Sequence, residues 1–599
     1  MKWQFYTGSA VRPAGWLRRQ LELQAEGLSG NLDKVWPDIR DSAWIGGDRE
    51  GWERVPYWLD GFIPLAYLLE NEELIARAKR YMDAILDAQQ ESGWICPCTE
   101  ENIPTYDSWA VQLISKVLVV YYEYSGDDRI PEVLYRVLKN YYDLLSSGRI
   151  TLFRWGKARW FECFIAIGFL WERSPEPWLK ELARLLRDQG AHYPDFAERW
   201  KCPLNQWTFE THIVNIGMML KYEAVSHEIL EEPYTDAAEA LHSLLSQYNG
   251  MPAGTFTGDE CLSGLSPIQG TELCAVVEQM YSYEWLFAAT GEEKWLDRLE
   301  TVAFNALPAT LSEDMWAHQY DQMSNQIACQ KFPGKSLFGT NGPEAHLFGL
   351  EPNYGCCTAN FSQGWPKFAR TAFLHRGNEI LSALPVPSEL DCEAAYIRLE
   401  TDYPFQNRFR YTLEARENLR FRMRVPGFAR ELKVNGVSAG AVEITLAAGQ
   451  TAVLEVSFEA DIRFEQRPYD LHTVKWGSLV FALPIGFDKV MLEYEKNGVE
   501  RKFPYCDYEY VPNTPWNYGF SGTNFAVSYR GTGDIPFSAT APAVVIQATV
   551  RQIPWGLEDR YEAVCAKIPR STAPAGEPEE KELYPYGCAK LRMAEMPLV

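Results

Sequence analysis

The sequence predicts a fold that is mainly α with β structure appended: an (α/α)6 barrel over residues 1–375, then two β-sandwich domains over 376–465 and 466–599. Two observations carry this reading. Up to about residue 375, apolar positions recur at helical spacing in stretch after stretch, with short turns rich in Gly, Pro, Asp and Asn between them. Beyond that point the texture becomes alternating, as in Tyr396-Ile397-Arg398-Leu399-Glu400 and Ala452-Val453-Leu454-Glu455-Val456, the mark of half-buried strands.

Helices are expected over 14–26, 55–69, 72–89, 108–125, 130–147, 160–171, 176–188, 208–223, 234–248, 273–290, 293–306 and 359–370. Twelve helices with short links pair into six hairpins, and six hairpins close into a barrel whose inner ring lines a central cleft. An open helical solenoid is the competing arrangement. In the first sandwich, Val434-Asn435-Gly436-Val437 is a hairpin signal, because Asn-Gly tolerates the positive φ angles of a tight turn. The second contains the strand-like runs Ser478-Leu479-Val480-Phe481-Ala482 and Ala543-Val544-Val545-Ile546-Gln547-Ala548, and the stretch 569–578 reads as a surface loop by composition.

A chain of 599 residues with 46% hydrophobic and 23% charged residues has the composition of a soluble globular protein of several domains. Its formal net charge of -24 repels phosphate backbones and anionic lipid, so nucleic acid and membrane are poor partners. The N-terminal Met1-Lys2-Trp3-Gln4-Phe5-Tyr6-Thr7-Gly8 has no apolar run of signal-peptide length, and the protein is read as cytoplasmic. Thirteen cysteines, an odd number without a repeating frame, argue for free thiols in a reducing compartment. The 21 Trp, 32 Tyr and 29 Phe are expected mostly in cores, with a few free to face a sugar ring.

The most informative residues are the vicinal pair Cys356 and Cys357, with Glu272 and Cys274 upstream in Gly270-Thr271-Glu272-Leu273-Cys274. A disulfide between sequence neighbours needs a strained peptide, so shared metal binding suits the pair better. Three sulfurs and one carboxylate make a complete tetrahedral set for zinc. Spacing alone leaves three readings open: packing, a structural zinc site and a catalytic site. Cys96-Pro97-Cys98 has one intervening residue and no nearby His, and reads as packing.

Taken together, Gly258-Asp259-Glu260-Cys261, Gly264-Leu265-Ser266-Pro267, the Glu272-x-Cys274 motif, Phe304-Asn305-Ala306-Leu307-Pro308-Ala309 and Cys356-Cys357-Thr358-Ala359-Asn360 resemble glycoside hydrolase family 127, known for beta-L-arabinofuranosidases. Arg54-Val55-Pro56-Tyr57-Trp58-Leu59-Asp60-Gly61 is similar to that family's early motif. Arg424-Val425-Pro426-Gly427-Phe428-Ala429 and Val434-Asn435-Gly436 are similar to its sandwich signature, so the likeness spans nearly the whole chain.

The resemblance implies a catalytic barrel, a Zn2+ cofactor and an oligosaccharide substrate, with Cys356 as nucleophile and Glu260 as acid/base. It implies zinc ligation by Glu272, Cys274, Cys356 and Cys357, and sugar binding by His212. Asp60, Trp109 and Tyr320 are further cleft expectations, and Glu210 is expected to orient His212. Adjacent loop side chains point apart, so Asp259 and Glu260 should not both face the cleft. Two departures bear on the sugar: the stretch between Glu260 and Glu272 is short, and Thr358 follows the vicinal pair where the family commonly has Pro. The expected function is retaining exo-release of terminal beta-L-arabinofuranose. The alternatives are another plant-polysaccharide sugar such as an acidic branched deoxypentose, a non-catalytic carbohydrate-binding zinc protein, and a barrel epimerase or lyase using His and Tyr. A homodimer is the assembly considered.

Overall fold

The computed structural model describes residues 1–334 and 336–599. Six helices form an inner ring. Arg54–Leu68 packs on Trp109–Ser125, that on Cys163–Arg173, then Tyr222–Leu230, Leu273–Thr290 and Gly364–Arg370, which returns to Arg54–Leu68. Closure of the ring excludes the open solenoid. Inner helices bury most of their surface, and in Trp109–Ser125 every residue from Trp109 to Tyr121 is buried. Outer helices bury one stripe, as Leu74, Ala78, Tyr81, Met82 and Ile85 do in Glu72–Asp87. That helix starts where it does because the Asn71 side chain accepts from the backbone N–H groups of Glu73 (3.1 Å) and Leu74 (3.2 Å).

Two expected helices differ in ways that matter for function. The stretch 208–223 divides into Ile213–Met219 and Tyr222–Leu230, with His212 outside as the cap residue. The backbone of His212 pairs instead with Cys261, and the residues before it form a turn closed by Thr208 and Thr211. The last inner helix begins earlier than the spacing predicts, at Cys356–Asn360, and runs on through Phe361–Gln363 to Gly364–Arg370.

After Arg370 the chain turns to strands. A five-stranded sheet holds Phe373–Arg376, Glu379–Ser382, Leu419–Met423 and Val442–Leu446, and a seven-stranded sheet holds Ser388–Asp391, Ala395–Thr401, Arg408–Ala415, Arg430–Val434, Val437–Ser438 and Thr451–Glu459. Alternate residues meet between them, with the rings of Tyr411 and Phe421 5.1 Å apart. The N-terminal strands Gln4–Phe5 and Val11–Pro13 complete these sheets, pairing with Phe373–Arg376 and Ser388–Asp391, although sequence places residues 1–13 with the helices. A third, ten-stranded sheet follows, built on Leu471–Trp476, Leu479–Pro484, Val544–Gln552 and Glu579–Pro585. It reaches into the helical half, where Asn325–Gln326 pairs with Arg592–Met593, and Tyr510, in the separate strand pair Phe487–Leu492 and Asp507–Pro512, exchanges backbone hydrogen bonds of 3.0 and 2.8 Å with Cys329. The segment leading from Tyr320 to Cys356 is thus anchored on C-terminal strands of two sheets. Residues 571–578 are exposed, as their composition predicts, and all thirteen cysteines are free. Among the described residues, no helix is long and apolar enough to cross a membrane.

Burial of histidines gives the fold an acid limit. His346 is fully enclosed against Phe332 (ring centroids 5.3 Å) and hydrogen-bonds Gln326 Oε1 at 3.3 Å. Burial, with Arg592 nearby, pushes its pKa down to about 3, and burial pushes that of His242 down to about 3 as well. Because the folded value lies below the unfolded one, the unfolded chain takes the proton first, and stability present above about pH 6.5 is lost as the pH falls. Each histidine accounts for about 2 kcal/mol between pH 7 and 5. His346→Gln, which retains an amide partner for Gln326, is expected to flatten that dependence by about the same amount in urea unfolding at the two pH values; an unchanged slope would refute the assignment.

Candidate active site

Three sulfurs meet where two inner helices start side by side. Cys274 lies in the first turn of Leu273–Thr290, and Cys356 and Cys357 open the helix Cys356–Asn360. Free backbone N–H groups at helix starts favour thiolate, and the Cys274 N–H donates to Cys357 Sγ at 3.3 Å. Glu272 precedes the first of these helices in the short strand Thr271–Glu272, which pairs with Asp321–Gln322 and so sets Tyr320 beside the cluster. Gly355, immediately before the vicinal pair, has no room for a side chain, since a Cβ there would lie 2.6 Å from the Trp36 ring.

The acid loop comes from the other side. The Glu260 carbonyl accepts from Ile213 N–H at 2.8 Å, and the Thr211 carbonyl accepts from Leu262 N–H at 3.0 Å, so the loop is laced to the His212 segment. Three donors then converge on the Glu260 carboxylate: Tyr320 Oη on Oε1 at 2.6 Å, and His212 Nε2 (2.9 Å) and Trp207 Nε1 (3.2 Å) on Oε2. The same Tyr320 hydroxyl lies 3.2 Å from Cys356 Sγ. One phenol therefore touches both Glu260 and Cys356. Asp259 turns away, as the alternation of loop side chains predicts, and its carboxylate accepts from the N–H groups of Gly270 (3.0 Å) and Gly339 (2.9 Å).

The electrostatics of the cluster ask for a cation. Hydrogen bonds from Cys274 and Cys357 hold the Cys356 thiol well below the usual range, with Arg54 assisting, while burial pushes Cys274 and Cys357 up. Burial, then Glu260, Cys356 and Asp321, hold the Glu272 carboxyl far above its ordinary value. Such crowding of buried acids costs free energy unless positive charge is supplied. The ligand atoms of Glu272, Cys274, Cys356 and Cys357 all lie within 4.8 Å of one another, and Glu272 Oε2 is buried without a hydrogen-bond partner. A tetrahedral zinc with bonds of about 2.3 Å to sulfur and 2.0 Å to oxygen would set sulfur–oxygen edges of roughly 3.5 Å. The Glu272 Oε1 contacts to Cys357 and Cys356 sulfurs are 3.6 and 3.9 Å. The four residues fit a metal ion.

These groups border a cavity of about 290 Å³, lined also by Trp52, Glu53, Arg54, Tyr57, Trp155 and Arg159. Cys356 lines it, whereas Cys357 is fully buried behind. Two expectations need correction. Asp60 is completely buried away from this lining, one turn deeper than Tyr57, with its carboxylate held by Lys367 (2.7 Å) and Lys116 (3.0 Å). Burial opposes its ionisation, but the two lysines outweigh it and keep its pKa below the ordinary value. Trp109 likewise stands one layer back, donating from Nε1 to Glu53 Oε2 at 2.9 Å and packing under the Arg159 guanidinium. Glu210 meets Trp200 Nε1 through its backbone carbonyl and does not line the cavity. Among the described residues, Cys96 and Cys98 join no cluster of metal-ligand type. Sequence reasoning missed Trp207, Arg54 and Tyr354, although Arg54 opens a quoted motif, Tyr354 lies just before the vicinal cysteines and Trp207 lies five positions before His212; Trp155 and Arg159 carried no such signal.

A family model for the GH127 catalytic domain of beta-L-arabinofuranosidases matches residues 43–370. Among solved structures, a protein described as a glycoside hydrolase matches with a TM-score of 0.68 at 14% identity, covering 100% of this chain and 98% of its own. A GH127 beta-arabinofuranosidase matches with 0.68 at 13% identity, covering 100% and 98%. A GH127 beta-L-arabinofuranosidase from Geobacillus stearothermophilus T6 gives 0.68 at 14% identity, with 98% and 99% covered. At these identities the likeness is one of fold. No curated protein matches the chain. With more than half of its length matched by the family model, the chain belongs to the GH127 beta-L-arabinofuranosidase family of glycoside hydrolases.

Proposed function

We propose that the protein is a zinc-dependent retaining exo-glycosidase that releases terminal beta-L-arabinofuranose from oligosaccharides, with Cys356 as nucleophile and Glu260 as acid/base. The observation that carries the reading is the Tyr320 hydroxyl, 2.6 Å from Glu260 and 3.2 Å from Cys356. Two groups sharing one phenol stand too close for the intervening water of an inverting pair, which needs about 6.5–9.5 Å. Glu272, Cys274, Cys356 and Cys357 would hold zinc, which when bound would keep the sulfurs ionised at neutral pH and fix their direction.

In the first step Cys356 Sγ bonds to the anomeric carbon while the carbon–oxygen bond breaks and Glu260 gives its proton to the departing oxygen. In the second, Glu260 takes a proton from water, whose oxygen attacks the same carbon as the carbon–sulfur bond breaks and the thiolate returns. His212 and Trp207 hold the Glu260 carboxylate in place throughout, and Tyr320 keeps acid and nucleophile in mutual register. A cavity of about 290 Å³ suits a single terminal sugar, which is support for exo action.

A panel of aryl L- and D-pentosides and hexosides tests the reading. Release is expected from the beta-L-arabinofuranoside, with the beta anomer of the sugar formed first in the proton NMR spectrum. Release from none of the panel would leave a carbohydrate-binding metal protein, and the alpha anomer appearing first would refute the two-step route.

A further inference from the structure

Each inner helix, or the residue that caps it, contributes one member to a set of charges enclosed in the barrel. Lys367 Nζ reaches Asp60 Oδ2 at 2.7 Å, Lys116 Nζ lies 3.0 Å from the same oxygen and 3.4 Å from Glu162 Oε2, and Lys221 pairs with Glu162 Oε1. Glu278 joins the set through Gln363, whose Oε1 accepts from Lys367 Nζ at 2.7 Å. Lys116, Lys221 and Lys367 balance Asp60, Glu162 and Glu278 in formal charge, and all six are buried. A balanced, enclosed set holds its geometry firmly, because losing any one member strands an opposite charge away from water.

Glu278 differs from the other five in where its hydrogen bonds go. Its Oε1 accepts from Asn360 Nδ2 at 3.1 Å and from Gln363 Nε2 at 2.9 Å, while its Oε2 has no hydrogen-bond partner. Glu278 stands one turn after Cys274, and Asn360 one turn after Cys356; residues four apart share a face of a helix. The carboxylate therefore ties the two helices together one turn below the place where their first turns bring Cys274, Cys356 and Cys357 to one point. Glu278 lines no part of the cavity and is not among the four candidate ligands, so whatever it does for the site it does through other residues. We propose that Glu278 is a positioning residue: it fixes the spacing and rotation of the two helix starts, so that the three sulfurs converge on the metal and Cys356 keeps its aim at the cavity. This inference rests on reading Glu272, Cys274, Cys356 and Cys357 as a metal site within the proposed glycosidase, and it adds the group that holds the sulfur-bearing helices in register.

The test compares Glu278→Gln with Glu162→Gln. Each leaves the buried lysines one carboxylate short, and both are expected to lower the thermal midpoint, but only the first loosens the tie between the sulfur-bearing helices. Glu278→Gln should in addition weaken zinc on the order of tenfold in competition with a chromophoric chelator, alter the thiolate-to-cobalt absorption of the cobalt-loaded protein, and lower kcat more than it raises KM. Glu162→Gln should hold zinc within about threefold of the parent and keep the parent's cobalt spectrum. Asn360→Ala leaves every charge in place and should move zinc affinity and cobalt spectrum in the same direction as Glu278→Gln, by more than about threefold in affinity; it carries the test if Glu278→Gln does not fold. Zinc affinity within about threefold of the parent in these two variants, or in Asn360→Ala alone if Glu278→Gln does not fold, would overturn the positioning role, as would an equal loss in Glu162→Gln, and either result leaves the metal site standing. An unaltered protein that takes up neither zinc nor cobalt would overturn the metal reading, and this inference with it.

Discussion

Replacing Cys356 by Ala is expected to reduce kcat/KM by a factor on the order of 10⁴ to 10⁶, the scale on which removal of a covalent nucleophile acts. The structure separates this residue from its two neighbours. Cys356 borders the cavity, and its sulfur lies 3.2 Å from the Tyr320 hydroxyl that also touches Glu260. Cys357 is enclosed, touches Glu272 and the Cys274 N–H, and has no face toward a sugar. The side chain removed is small, so circular dichroism should show the barrel still folded, while the thermal midpoint should fall in step with any loss of metal, because Cys356 is also one of the four proposed ligands. Mass spectrometry after incubation with a slowly released substrate should show the sugar's mass added to the parent and not to the variant. An Ala variant that keeps more than about one per cent of the parent kcat/KM would end the nucleophile assignment.

How much of this was legible beforehand depends on whether a residue's role is local. Cys356 and Cys357 announce themselves as neighbours, and Glu272 and Cys274 lie two apart at a helix start, so their convergence needs only that two helices begin side by side. Asp60 was misplaced for the opposite reason. It sits in the same helix as Arg54 and Tyr57, but a motif names the helix and not its depth, and two lysines contributed by other helices hold Asp60 below the cavity. His212 was placed inside a helix because residues 208–223 are apolar at helical spacing, whereas a backbone bridge to Cys261, 49 positions on, outweighs that local preference. The strands Gln4–Phe5 and Val11–Pro13 are too short for any alternation to show, and their partners Phe373–Arg376 and Ser388–Asp391 lie across the whole helical ring. Arg159 and Trp155 reach the cavity from a short helix with no motif of its own. What escaped was long-range: the sequence states which side chains can do chemistry far better than which of them share a cavity.

Removal of the metal is the second large effect, and it should act on stability as well as rate. Without a cation, Glu272 and the three sulfurs must stay protonated or repel one another inside the protein, and Glu272 Oε2 has no hydrogen bond and only His212 Nε2 at 3.9 Å. A group that binds only the folded chain stabilises it by RT times the logarithm of one plus its free concentration over Kd, and zinc held by thiolates binds tightly. Exhaustive chelation is therefore expected to lower the thermal midpoint by about 5 °C or more and to abolish turnover. Zinc should restore both, and magnesium neither, because soft sulfur donors discriminate against hard cations. Glu272→Gln keeps the side-chain shape and removes one anionic donor, so its metal content by elemental analysis should fall below one per chain while the barrel stays folded. A protein that purifies without metal and ignores the chelator would show that the four residues serve packing alone, and Cys356 would then owe its ionisation to Cys274, Cys357 and Arg54 unaided.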